Sequence, residues 1–379
     1  MFLSNVKLWN FRKYGSKTEF DLKKPDLDLP LKKGINVLIG ENDSGKTAII
    51  DAIRLVLGTH SLEWIKVIDE DFYEKADRFR IELVFKELAD DEAKHFVEWL
   101  GWIEEGGNSK PYLQLNLDVK RSFERIFPWE VRAGCDHEGQ ILPADARDYL
   151  KSTYLKPLRD ASAELVPKRN SRLAQILQGH EAFKGRENDH YIKLLFDKFN
   201  EAIEGYFHGK DENGESLATE EMQGKILKDD IDRYITAFCG KATKSDISIA
   251  EGSIKHVLEK LELSIRDEIN PGLGTLNRLF MASELVHLTK KNWHGMRLGL
   301  IEELEAHLHP QAQMQVIECL QRELGLQIIM TTHSPNLASK VKLNDLIICC
   351  GNQVFPMSDE FTDLKEPDRK FLEWFLDVT

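Results

Sequence analysis

The hydrophobic pattern of this chain changes period twice, from two to three-and-four and back. Apolar positions alternate around Val6 and Leu8 before Asn10-Phe11-Arg12, which predicts a strand running into a turn. A short apolar run, Gly34 to Ile39, predicts a second strand, and Ala48 to Leu57 carries a helical pattern. Ile81 to Phe85 and Leu113 to Val119 alternate with period two, as half-buried strands do. From about residue 150 to 260 the spacing becomes helical. Ile192, Phe196, Phe199, Ile203 and Phe207 recur at threes and fours, and Met222, Ile226, Ile231 and Ile235 do so less regularly. The polar stretch Gly209 to Ser216 between them reads as an exposed tip. Two readings suit those stripes, a helical core or a helix-mediated dimer contact. After residue 270 strands return: Arg297 to Ile301, Gln327 to Thr332 and Asp345 to Cys350. A helix at Gln311 to Leu324 has Met314, Ile317, Leu320 and Leu324 on one face. The pattern predicts an α/β domain over 1–155 and 270–379, interrupted by a mainly helical insertion over 156–269. No internal repeat or low-complexity tract appears.

Composition narrows the class. The 379 residues are 42% hydrophobic and 30% charged, as in a soluble globular protein of two or three domains. No apolar stretch approaches the roughly 20 residues of a membrane span, and no secretory signal opens the chain, so no membrane partner is expected. Five cysteines show no metal-ligand or disulfide spacing, which suits a reducing cytoplasm. Cys349 and Cys350 lie in an apolar run and read as core thiols. A formal charge of −13 means that any contact with DNA needs a local patch. Lys156, Arg159, Lys168, Arg169 and Arg172 form the densest candidate.

The chemistry begins at residues 40 to 47, Gly-Glu-Asn-Asp-Ser-Gly-Lys-Thr, a complete G-x-x-x-x-G-K-[ST] phosphate loop between a strand and a helix. A triphosphate needs backbone N–H groups turned inward, which Gly40 and Gly45 permit, with Glu41, Asn42, Asp43 and Ser44 completing the cradle. Lys46 brings a charge to the β/γ-phosphates, and the Thr47 hydroxyl can ligate Mg²⁺. A chance match in a chain this long is roughly one in a hundred before context is counted. ATP and Mg²⁺ are the expected cofactors.

About 250 residues later an apolar strand ends in Glu302-Glu303. An NTPase needs one acid to hold Mg²⁺ through water and another to orient the attacking water; Glu302 takes the first role and Glu303 the second. The next strand ends in Thr331-Thr332-His333, where a histidine can reach a γ-phosphate. This spacing resembles that of ATP-binding-cassette ATPases. Glu305, His307 and His309 invite a metal reading, but their place favours the turn that follows the catalytic acid.

Ile-Glu-Glu-Leu-Glu-Ala-His-Leu-His-Pro at 301–310 resembles the I-E-E-P-E-A-H-L-H-P segment of the OLD (overcoming lysogenization defect) nucleases. Thr-Thr-His-Ser-Pro at 331–335, Asn-Phe-Arg at 10–12, the phosphate loop, Tyr154 to Ala161 and Asn270 to Thr275 resemble that family too. Only Leu304 departs, where proline is usual. The resemblance covers nearly the whole chain. It implies an ABC/RecF-like P-loop ATPase head whose helical insertion dimerises. It also implies nucleotide contacts from Arg12, and a degenerate signature in which Gly272 and Gly274 cap the partner's γ-phosphate, with Thr275 as a helix cap. Relatives in that family carry a TOPRIM nuclease domain after the ATPase, and Phe371 to Thr379 resembles the stretch just before it. The expected partners are therefore a second copy in a homodimer or higher oligomer, DNA, and a TOPRIM nuclease in cis or in trans. The alternative is a stand-alone RecF/SMC-like DNA-binding ATPase switched by ATP, acting in repair or with a separate nuclease. A transporter-coupled ATPase is disfavoured, since no L-S-G-G-Q signature is present and nothing fixes Gln114 as a Gln loop.

Overall fold

The computed structural model describes residues 1–378 except 61–64, 124, 157–163, 187, 240–243, 248–252, 267, 269, 270, 289–294, 307, 323 and 324. The chain divides into two compact units, Met1–Ala161 with Pro271–Thr379, and Ser162–Asn270.

The first unit holds two sheets. The antiparallel sheet contains β1 (Phe2–Trp9), β2 (Leu27–Pro30), β4 (Arg78–Lys86), β5 (Leu100–Glu105), β6 (Asn108–Ser122), β7 (Arg125–Ile126), β8 (Val131–Ala133) and β9 (Gln140–Ile141). Its path is β2-β1-β4-β6-β8-β9, with β5 and β7 also on β6. The second sheet runs β10 (Thr153–Leu155), β11 (Leu298–Ile301), β12 (Gln327–Thr332), β3 (Ile35–Ile39), β13 (Leu346–Cys350), β14 (Gln353–Pro356), all parallel save the last pair. The unit is a mixed α/β architecture of one antiparallel and one mainly parallel sheet.

Between the sheets lies the helix Lys46–Leu57, whose Ala48, Ile49, Ile50, Ala52, Ile53, Leu55, Val56 and Leu57 are all buried. Each of its Ile, Leu and Val side chains removed from water is worth about 1.5–3 kcal/mol, so this helix is a central strut. Buried Gln327 stitches the sheets together: its Oε1 accepts from Leu3 N, and its Nε2 donates to Leu3 O and Lys32 O at 2.8–3.0 Å.

β4 corrects the half-buried expectation, since Arg80 and Glu82 are 6% exposed or less; β6 keeps it in part, with Asn116 buried but Gln114 and Asp118 partly exposed. A buried guanidinium needs counter-charges, and Arg80 has Glu82 at 3.7 Å and Asp118 at 3.4 Å. Cys349 is buried as expected, but Cys350 faces outward because neighbouring strand residues alternate.

In the second unit the helices Tyr191–Phe207 and Gln223–Cys239 match the two stripes. The first has no fully buried residue: Ile192, Phe196, Ile203 and Phe207 of its stripe are partly exposed, and Phe199 is about half exposed, as are Leu194 and Leu195 beside the stripe. A helical period shows that one face is apolar, not what covers it. The buried cluster here is small, Ala174, Ile254 and Leu258 with Leu177 and Phe183 against it.

Candidate nucleotide site

The topology assembles the site. β11, β12 and β3 are parallel neighbours, with Ile301 beside Met330 and Thr332 beside Ile39. Their carboxyl ends therefore meet at one edge of the sheet, where α/β proteins bind ligands. β3 runs into the phosphate loop, β11 into Glu302 and Glu303, and β12 into His333.

The loop is shaped by its glycines. Gly45 adopts φ +93°, and a β-carbon there would stand 2.4 Å from the Tyr14 hydroxyl. One on Gly40 would stand 2.3 Å from the Cys349 carbonyl oxygen. Gly45 also caps the helix Lys46–Leu57 without a side-chain hydrogen bond, and no acid lies in the first turn. The first N–H groups and the positive end of the dipole are thus left for an anion. A cavity of about 270 Å³ opens here, lined by Arg12, Lys13, Asp43, Ser44, Gly45, Lys46, Thr47 and Ala48.

Lys46 is 8% exposed, and its Nζ donates to Gly40 O and Glu41 O at 2.7 Å and to Ser44 Oγ at 3.1 Å. Burial lowers its pKa, while Cys349, Glu305 and Glu303 favour the charged form. Lys13 Nζ donates to Asp43 O. Arg12 lines the cavity, yet its Nε donates to Asp71 Oδ1 at 2.9 Å and its Nη1 to Asp51 Oδ2 at 2.6 Å. Much of its charge therefore braces the turn at 10–12 against the central helix. Glu41, Asn42, Asp43 and Thr47 are exposed on the loop.

Glu302 is 3% exposed, and its carboxyl is pushed up to about 7, first by burial and next by Asp51, against the pull of Arg54. Arg54 stacks 3.6 Å over the Tyr154 ring and pairs with Asp51 at 2.5 Å. Glu303 takes φ +45°, a left-handed conformation that costs a residue of this kind about 1–3 kcal/mol. Its N–H donates to Thr331 Oγ1 at 3.1 Å. These oxygens suit Mg²⁺: repulsion within the carboxylate cluster of Glu302, Asp51 and Glu303 is what a hard cation relieves, and Thr47 offers a hydroxyl on the cavity wall. No three acid, His or Cys side chains among the described residues form a ready cage.

Asp51, Arg54, Lys13 and Tyr14 escaped the sequence reading, and Tyr154 entered it only as the start of a motif block. Glu305 also escaped it as a partner of His333, from whose Nδ1 its Oε1 lies 3.0 Å. Its place between Glu303 and His309 was the available signal. Gly272 and Gly274 open the helix Leu273–Leu288, where the Gly272 carbonyl accepts from Thr275 N and Leu276 N at 2.9 and 3.1 Å. Thr275 is thus inside the first turn and not the cap, because Gly272 already holds that position. In the proposed DNA patch Arg172 is 7% exposed and donates to Gln175, which leaves Lys168 and Arg169 as its exposed cations in that unit; Arg159 lies outside the described residues, as does His307 of the metal reading.

The sequence profile of the family described as "AAA domain, putative AbiEii toxin, Type IV TA system" matches residues 35–339, from β3 through His333. The chain belongs to this family. It is similar to the Retron Ec83 probable ATPase of Escherichia coli, at 22% identity over 87% of this chain and 69% of that protein. A 51-residue segment is 47% identical to the Septu protein PtuA of Bacillus thuringiensis, covering 13% of each chain. Two solved structures share the fold at 15% identity. An SMC head bound to the C-winged helix domain of ScpA superposes with a TM-score of 0.51 over 95% of this chain and 98% of that one. An Smc head with an extended coiled coil, bound to the C-terminal domain of ScpA derived from Pyrococcus furiosus, gives 0.50 over 99% of both. This member of the AAA-domain family thus shares the fold of the SMC heads. No described helix is long and apolar enough to cross a membrane.

Proposed function

We propose that this protein is the ATP-binding and hydrolysing module of an OLD-type DNA endonuclease, an ATP-controlled dimer that regulates DNA cleavage in anti-phage defence. The observation that carries the ATPase reading is the convergence of Lys46, Glu303 and His333 at the ends of three neighbouring parallel strands. The toxin–antitoxin name of the family and the retron and Septu relatives support the defence assignment. The motif blocks at 301–310 and 331–335 support the OLD-type nuclease partnership.

In this mechanism the loop N–H groups and Lys46 bind the β/γ-phosphates. Glu303 accepts a hydrogen bond from the attacking water and orients it in line with the γ-phosphorus. His333 meets the terminal phosphate or that water, and Gly272 and Gly274 of a second copy close the site. Mg²⁺, held through Thr47 and Glu302, would neutralise charge developing on the phosphate oxygens. The half-exposed apolar residues of Tyr191–Phe207 support dimerisation through the helical unit.

The test is an ATPase and nuclease assay of this chain alone and with the sequence encoded downstream of Thr379 or in the adjacent reading frame. ATP hydrolysis by the chain, with DNA cleavage only when that partner is present, is the expected result. ATP-dependent DNA binding with no cleavage in either case would favour the stand-alone DNA-binding ATPase, and no hydrolysis at all would overturn the reading.

A further inference from the structure

One carboxylate at the site has no part in the mechanism above, yet it holds the tip of β12. Glu305 Oε1 accepts from Thr332 Oγ1 at 2.9 Å and from the His333 backbone N–H at 2.8 Å, and it lies 3.0 Å from His333 Nδ1. The Glu305 side chain is 11% exposed, and its Oε2 is buried with no hydrogen-bond partner among the described residues. The turn that carries it is tight: Ala306 N donates to Glu303 O at 2.9 Å, and Leu308 N to Glu305 O at 3.1 Å. Glu305 thus ties the strand end bearing Glu303 to the strand end bearing His333.

We propose that Glu305 is the positioning residue of His333, selecting which ring nitrogen faces the nucleotide; this rests on the ATPase reading. The argument is one of donors and acceptors. Oε1 already accepts a backbone N–H, so it acts as an acceptor, and Nδ1 opposite it must carry a proton. The imidazole is thereby held as the Nδ1–H form, and Nε2 is the nitrogen left for a ligand. The side chain is half exposed, so that nitrogen is accessible. Neutral, Nε2 accepts a proton from water; protonated, it donates to a phosphate oxygen, with Glu305 as counter-ion. Without the carboxylate, no other group among the described residues bonds Nδ1 to select a tautomer. An unpartnered second oxygen left in a buried carboxylate is costly for a mere staple, which an amide or hydroxyl would serve as well.

The experiment compares wild type with Glu305→Ala and Glu305→Gln. Spectra of ¹⁵N-histidine-labelled protein report the tautomer, with the His333 signal assigned by its loss in His333→Gln. Wild type is expected to show protonated Nδ1 and bare Nε2. Glu305→Ala should lose that preference and lower kcat about 10- to 100-fold, as losing an orienting partner does elsewhere, with little change in ATP affinity. Glu305→Gln, whose amide oxygen still accepts, should recover the tautomer and part of kcat. If Glu305→Ala keeps the Nδ1–H signature, or loses affinity and kcat together with an unchanged tautomer, Glu305 is only structural and the inference is wrong while the ATPase reading stands. If wild type hydrolyses no ATP, the ATPase reading fails, and the spectra still decide the tautomer.

Discussion

The hydroxyl of Tyr14 lies where a side chain on Gly45 would begin, 2.4 Å from a β-carbon built there. Tyr14 is fully buried, burial raises its pKa, and its hydroxyl has no hydrogen-bond partner among the described residues. The ring is therefore a floor for the phosphate loop and not a polar contact. Gly45→Ala meets both this floor and a φ of +93°, and should abolish nucleotide binding. Tyr14→Phe removes a buried unsatisfied group that costs about 1–3 kcal/mol, so it should raise the melting temperature and leave ATP affinity intact. Thermal melts and nucleotide titration of both variants check this; a destabilised Tyr14→Phe would mean that the hydroxyl has a partner after all.

Lys46→Ala should eliminate measurable ATP binding. The ammonium is the charge-assisted phosphate contact within the loop, and in the structure it also ties together Gly40 O, Glu41 O and Ser44 Oγ. Titration with a fluorescent ATP analogue is the measurement, and unchanged affinity would remove Lys46 from the site.

Glu303→Gln should keep nucleotide affinity and slow hydrolysis about 100-fold or more, since an amide fits the same place but polarises water poorly. The strained φ of +45° at Glu303 places the cost where function would require it. With Mg-ATP the variant should accumulate as a closed dimer, visible by light scattering. Hydrolysis at the wild-type rate would contradict the role given to Glu303.

Much of this site was legible because its parts are local. A phosphate loop is eight consecutive residues, and Glu302, Glu303 and His333 each end a short apolar run that reads as a strand. What stayed hidden depends on chain segments far apart in sequence. Nothing near Asp51 announces that Arg12 will reach it across 39 positions, and Glu305 reveals its grip on His333 only once β11 and β12 lie side by side. The helical stripes gave the helices but not their burial. Periodicity gives a face, and on Tyr191–Phe207 that face is only partly covered, with Phe199 exposed. Arg172 was misplaced because charge alone suggests exposure, whereas it is buried and donates to Gln175.

The helical unit should be sensitive to acid through Asp232. Its Oδ1 accepts from Ser245 Oγ at 2.5 Å and from the Ser245 backbone N–H, and its Oδ2 accepts from Lys228 at 2.9 Å. Ser245 first, and then Lys228, hold this carboxyl well below its ordinary value of 3.8. A folded pKa below the unfolded one means stability that is complete above pH 3.8 and is lost as pH falls through the folded value. Asp232→Asn should therefore weaken protection of residues 223–247 at neutral pH and flatten its acid dependence. Hydrogen exchange at pH 7 and pH 3 reads both effects, and identical profiles would exclude the linkage.

DNA binding, if it uses the surface predicted from the sequence, must use less of it than five cations. Arg172 is buried, whereas Lys168 and Arg169 are exposed, with Lys168 3.5 Å from Glu164 and both of those side chains about 40% exposed. An exposed pair of this kind contributes roughly 0–1 kcal/mol, so Lys168 can exchange its partner for a phosphate at small cost. Lys168→Glu with Arg169→Glu should weaken duplex binding and flatten its salt dependence, each lost phosphate contact removing roughly 0.9 from the log–log slope. Hydrolysis of ATP without DNA should persist, since neither residue lines the phosphate-loop cavity. Anisotropy across a salt series is the measurement. Equal affinity and equal slope in wild type and double variant would move the DNA contact off this unit and toward the nuclease partner.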